Sequence, residues 1–157
     1  MQNTKSPTIQ NLEAAFAGES MAHIKYMWFA RQCRKVGDEA TARVFEDTAA
    51  QEILHAFGHA ELLFSDETMT PAKCLQYAID GETYEYTEMY PKFRHEAMIE
   101  GNTAAVAEMD EQIVESKEHA EMFRSVLEKA AKRFAALAKV EEKHAKHYQA
   151  QKDAIAA

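Results

Sequence analysis

Two Glu-x-x-His pairs, Glu52-Ile-Leu-His55 and Glu141-Glu-Lys-His144, lie on separate helical stretches and constrain the fold more than any other feature. An i, i+3 spacing sets a carboxylate and an imidazole side by side on one helix face. Two such pairs, joined by one glutamate from each of two further helices, form the donor set of a di-iron or di-manganese carboxylate site inside a four-helix bundle. The further glutamates are present: Glu19 in the first apolar stretch, and Glu82 with Glu85 in the third. A single Glu-x-x-His arises by chance in a helix rich in both residues. Two of them, with acidic partners where bundle geometry needs them, predict an all-α, four-helix architecture.

Apolar periodicity places the helices over about 8–36, 39–64, 71–100 and 103–150, within one domain spanning 1–157. Ser6-Pro7-Thr8 opens the first, with Pro in its first turn, and Gly37-Asp38 closes it as C-cap and next N-cap. Residues 65–71 break the second from the third, and Pro91 predicts a kink or local loosening inside the third. After Gly101-Asn102-Thr103 nothing interrupts the pattern, so the fourth helix is extended. Its stripe passes through Ser116, Phe123, Phe134, Glu141, His144 and Tyr148 with unbroken 3-4 spacing.

The candidate donors sit on these apolar stripes. A buried carboxylate costs several kcal/mol unless paired or metal-bound, and a dinuclear metal centre would compensate all of them together. The plainer alternative makes each a rim residue at the stripe edge. Register favours the common site: Glu19 lies 18 residues before Gly37 and Glu52 lies 15 after it, so antiparallel helices bring them to nearly one level. His23 and His59 follow Glu19 and His55 by four residues, as a further shell of contacts, a proton path, or ordinary helix histidines.

Composition excludes several classes. A formal charge of -8 argues against a nucleic-acid partner. No apolar run approaches the ~20 residues that span a bilayer, and Met1–Thr8 lacks a signal-peptide core. Cys33 and Cys74 stand apart with no Cys-x-x-Cys, which fits a reducing cytoplasm and reads as two buried small residues.

Four stretches carry a family resemblance: Asn11–Ser20, Phe45–Ala56, Ile79–Pro91 with its Gly-Glu82-x-x-Glu85 and Thr-Glu-Met-Tyr90-Pro, and Phe134–Ala145. Together they resemble the ferritin-like di-iron domain of rubrerythrin over nearly the whole chain. The resemblance implies two iron ions per site, with manganese or a mixed pair as alternatives. It implies ligands Glu19, Glu52, His55, Glu82, Glu85, Glu141 and His144, and it makes Tyr26 and Tyr90 hydrogen-bond donors to ligating carboxylates. It also implies two-electron reduction of hydrogen peroxide to water, with Glu85 exchanging against an imidazole on reduction and protons passing through Tyr26 or Tyr90. With no cysteines for a rubredoxin-type centre, it implies electrons from a separate protein such as a rubredoxin or another reductase. The alternatives are a ferroxidase or iron-handling protein that oxidises Fe(II) with O₂ or peroxide, and a metal-free helical interaction protein.

The last helix also carries about 25 additional residues relative to the family pattern. As a result Ser116-Lys-Glu-His119 falls 15 to 18 residues after Gly101, where the family places Glu-x-x-His, with Ser116 in place of the Glu. The heptad count favours Glu141 and His144 as the ligand pair, and Glu115 with His119 is the rival. Chain length bears on assembly as well. Glu52 and Glu82 must share a level in a ferritin-like bundle, yet the segment between them barely recovers ~30 Å of axial travel. The expectation is a homodimer, with the first helix pair exchanged between copies.

Overall fold

The computed structural model describes residues 6–156 and divides into two compact units, Met1–Met69 and Thr70–Ala157. The expectation drawn on Met1–Thr8 falls mostly on residues 1–5, outside the described residues. All described elements are helical.

The first unit is an antiparallel pair, α1 (Pro7–Lys35) and α2 (Glu39–Leu63). The Ser6 hydroxyl accepts the Ile9 N–H at 3.3 Å, with Pro7 in the first turn where its missing N–H is not needed. Gly37 takes the left-handed conformation, φ 83°, which L side chains disfavour. The Gly37 and Asp38 N–H groups return to the carbonyls of Arg34 and Cys33, both at 3.0 Å, and end α1. Asp38 then caps α2 by accepting the Thr41 N–H at 3.0 Å. Ala30, Ala42, Ala49 and Ala56 are the fully buried residues between the two helices. The last three recur every seventh position, so small side chains let the backbones approach along the whole seam. Tyr26, Phe29 and Phe45 cluster at one end, ring centroids 5.4–6.3 Å apart. Arg34 ties the helices with hydrogen bonds to Glu39 at 3.0 Å and to Glu46.

The second unit contains α3 (Pro71–Tyr84), a π-helical turn (Glu85–Met89), α4 (Tyr90–Glu100) and α5 (Thr103–Ala156). Thr70 caps α3 on the Lys73 N–H at 3.3 Å. In the π-turn the Tyr90 N–H reaches back five residues to the Glu85 carbonyl. Pro91 follows at once, without the N–H that would bond Thr87, so the loosening expected at Pro91 lies in the turn just before it. Gly101, φ 71°, reverses the chain. Asn102 caps α5 on the Ala105 N–H at 3.1 Å. α5 runs antiparallel to α3 and α4, held by Arg94 to Asp110 at 2.5 Å and Arg124 to Thr83 at 2.8 Å. Ile79, Ala97, Ser116 and Ala120 are buried between them.

α5 has 54 residues, ~81 Å of helix. Beyond Ala130 every described side chain on it is exposed. The antiparallel pairing explains this. Moving outward from Arg124 opposite Thr83, α3 ends at Pro71, and α5 continues with nothing of its own unit beside it.

No large side chain is fully buried among the described residues, and large apolar ones stay exposed in both units. Met21, Ile24, Trp28, Leu54 and Phe57 form such a set on the first, and Val114 and Met122 on the second. Each helix pair covers one face of its helices and leaves another apolar face open. No described helix is long and apolar enough to cross a membrane. Both cysteines are free. Cys33 is half-buried, whereas Cys74, read from sequence as buried, is exposed on α3.

Candidate metal centre

The first cluster is built on the α1–α2 pair. Glu19, Glu52 and His55 each offer a ligand atom, and these atoms lie within 4.8 Å of one another. The i, i+3 spacing on α2 brings His55 Nδ1 to 2.9 Å from Glu52 Oε2. Antiparallel register brings Glu19 across from Glu52, at the level the residue count from Gly37 requires. The same register pairs Tyr26 with Phe45 and lets the His23 imidazole donate from Nδ1 to the Ala49 carbonyl at 2.8 Å. His23 is thus a cross-link between the helices. Two half-buried carboxylates facing each other, with one exposed imidazole alongside, make a three-donor set suited to a divalent transition metal.

The second cluster lies between α3, its π-turn and α5. His119 Nδ1 is 3.4 Å from Glu82 Oε1. One turn away the buried Ser116 hydroxyl donates to Glu85 Oε2 at 3.0 Å. Glu82 and Glu85 sit where α-helix gives way to π-helix, and both carboxylates face α5. Tyr90 follows at the end of the turn. Burial raises its phenol pKa above the usual value, with the charges of Glu85, Glu82 and Glu108 adding to the effect. The phenol therefore stays protonated and able to donate a hydrogen bond.

Glu82 and Glu85 thus meet His119 and Ser116, and not Glu141 and His144. Glu141 and His144 lie 3.7 Å apart on the distal part of α5, 74% and 58% exposed, with no element of their own unit beside them. His119 and His144 are separated by 25 residues, close to seven whole turns, so both project from the same helix face. Periodicity does not distinguish them; within the unit, α3 lies beside the part of α5 that carries Ser116 and His119. Glu115, the other half of the rival pair, is exposed, and the position pointing at Glu85 is Ser116. Tyr26 packs on Phe45 and Phe29, two turns along α1 from Glu19.

Comparison with known proteins bears on the same positions. The family model for rubrerythrin matches residues 10–127, which takes in both clusters and stops short of Glu141 and His144. Nigerythrin of Nitratidesulfovibrio vulgaris (strain Hildenborough) is 39% identical over 74% of this chain and 63% of its own length. A rubrerythrin of Porphyromonas gingivalis is 38% identical over 61% and 54%, and a putative rubrerythrin of Methanocaldococcus jannaschii 31% over 76% and 69%. The chain therefore spans under two thirds of the first two relatives. A solved structure of nigerythrin in its fully reduced, all-ferrous state shares 32% identity, covering 83% of this chain and 70% of that one, with a TM-score of 0.40. By the family model and these relatives, the chain belongs to the rubrerythrin family of di-iron proteins.

Proposed function

We propose that the two clusters are halves of one di-iron centre, and that the protein reduces hydrogen peroxide to water with electrons from a separate redox protein such as a rubredoxin. The observation that carries this reading is the division of donors. Glu19, Glu52 and His55 stand on one unit, and Glu82, Glu85 and His119 on the other. Together they give four carboxylates and two imidazoles, the complement of a bundle-type dinuclear site. The donors fit iron, since carboxylate and imidazole oxygens and nitrogens suit it, and manganese is the alternative that metal analysis separates.

Iron held by these donors supplies one-electron redox chemistry at each ion, so the pair matches the two electrons of H₂O₂ + 2e⁻ + 2H⁺ → 2H₂O. The rest falls to the chain. Glu52 and His55 hold each other in register on one turn of α2. Tyr90 keeps its proton beside Glu85 and Glu82 and can donate it at the phenolic oxygen. The free cysteines suit a reducing cytoplasm. Stopped-flow mixing of the ferrous protein with peroxide and, separately, with O₂ tests the assignment. Fast oxidation by peroxide and slow oxidation by O₂ is expected; the reverse order would make Fe(II) the substrate and the protein a ferroxidase.

The halves meet, on this reading, between two copies. About eleven helical residues follow Glu52 in α2 and about eleven precede Glu82 in α3. Parallel helices with these glutamates at one level need ~33 Å of axial return. Residues 64–70 reach at most ~28 Å fully extended, and Thr68 and Met69 N–H bonds to the Ser65 carbonyl shorten them further. One chain falls short before any sideways crossing. The open apolar face of one copy's α1–α2 pair is therefore covered by the partner's second unit, giving a domain-swapped dimer with two composite sites. Mixing Glu52→Ala with Glu82→Ala protein tests this. A heterodimer that regains one intact site is expected; subunit exchange without recovery of metal would place each site within one chain.

A further inference from the structure

The second half-site departs from the bundle pattern at one position, and the structure shows what fills the gap. Dinuclear bundle sites take a Glu-x-x-His from each of two helices. α2 supplies one as Glu52 and His55. α5 supplies only the histidine: three residues before His119 stands Ser116, 3% exposed. A hydroxyl is no replacement for a carboxylate toward a divalent ion. Yet the place beside Ser116 already holds a carboxylate, because Glu85 Oε2 accepts the Ser116 hydroxyl hydrogen at 3.0 Å. Glu85 reaches it from the opposite helix, at the first residue of the π-turn. One turn away Glu82 lies against His119 at 3.4 Å, so the two contacts lie side by side across the α3–α5 seam.

We infer that in this chain Glu85 supplies the carboxylate that α5 lacks at Ser116, and that the Ser116 hydroxyl holds it there. Glu85 is then a fixed member of the donor set, needed to hold the second metal ion, rather than an extra carboxylate that comes and goes with redox state. Ser116 is a positioning residue. It occupies little volume, so the carboxylate from across the seam has room, and its hydrogen bond takes one Glu85 oxygen and leaves the other free. Relocating a carboxylate from α5 to α3 keeps the donor count at four and leaves the net charge of the half-site unchanged. The inference rests on the di-metal reading above.

The test uses the full-length chain stripped of metal and titrated anaerobically with Co(II), followed by calorimetry and by ligand-field absorption. The wild-type chain is expected to take up two ions. Glu85→Ala should keep the ion held by Glu19, Glu52 and His55 and weaken the other by more than about thirtyfold. Adding Ser116→Glu to Glu85→Ala moves the carboxylate back to α5 and should return the second ion to within about fivefold of wild type. Ser116→Ala should weaken that ion by about tenfold, in the range seen when a group supporting a ligand is removed; Ser116→Thr, which keeps the hydroxyl, should restore it. Circular dichroism confirms that each variant is helical. The inference is overturned if Glu85→Ala holds both ions with wild-type affinity, or if the helical double variant binds the first ion but not the second. Absence of any Co(II) uptake by the wild-type chain would remove the di-metal reading itself, and the inference with it.

Discussion

Lengthening the connector between α2 and α3 should convert the protein from dimer to monomer. The shortfall sets the size of the perturbation. Residues 64–70 fall ~5 Å short of the ~33 Å axial return, and crossing to a neighbouring helix adds ~10 Å sideways. Eight Gly/Ser residues inserted between Asp66 and Glu67 raise the maximum reach to ~56 Å, enough for a slack loop to bring Glu52 and Glu82 of one chain together. Once the connector can close, the two units meet at an effective concentration in the millimolar range, so at micromolar protein the closed monomer outcompetes the exchanged dimer. Light scattering on a size-exclusion column reads the result directly. The natural chain is expected at twice its 17.8 kDa, and the inserted variant at about its own monomer mass with both metal ions retained. A natural chain that runs as a monomer while holding two metal ions would refute the reach argument, as would an inserted variant that stays dimeric at micromolar concentration.

Three further outcomes follow. Glu52→Ala or His55→Ala should lower metal content to one ion or none, whereas Glu141→Ala with His144→Ala should leave it at the wild-type level by elemental analysis. Ala49→Leu forces a larger side chain into the fully buried α1–α2 seam, beneath the His23 contact; overpacking of this kind costs about 1–3 kcal/mol, measurable by urea unfolding. Asp38 caps α2, and its hydrogen bonds to Thr41 hold its carboxyl below the usual carboxylate range. Its contribution is present above the unfolded-state pKa and lost as pH falls through the folded one. Asp38→Asn should therefore keep the cap while flattening the acid-side decline of stability below about pH 4.

The helices were legible because capping chemistry and periodicity agreed. Ser6, Asp38, Thr70 and Asn102 each stand where a cap bonds its helix. Glu19 and Glu52 were legible too, since counting outward from the Gly37 turn gives the level as well as the face. The neighbours of Glu82 and Glu85 on α5 were less legible, because the heptad pattern gives a face only. Glu141 and His144 lie on the same face as Ser116 and His119, displaced by close to seven turns, and the stripe continues through both. The level along α5 comes from counting at Gly101: Glu85 lies 16 residues before it and Ser116 lies 15 after. The change to π-helix at Glu85 was visible only as a proline six residues later. Whether α3 extends far enough to cover the end of α5 depends on where the chain begins α3, and that is decided at Thr70 and Pro71.

The π-turn amounts to one residue more than an α-helix would use for the same span, and it splits a single rod into two independently phased pieces. Residues before it are set by the need to aim Glu82 and Glu85 at α5. Residues after it are set by packing, with Ala97 buried and Arg94 on Asp110. Holding the same residues in a continuous α-helix instead would rotate everything downstream by ~100°. Ala97 would leave the seam and Arg94 would lose Asp110, while the donors upstream stayed in place. The extra residue works as a phase shifter, letting the demands of chemistry and of packing be met on one helix without either fixing the other.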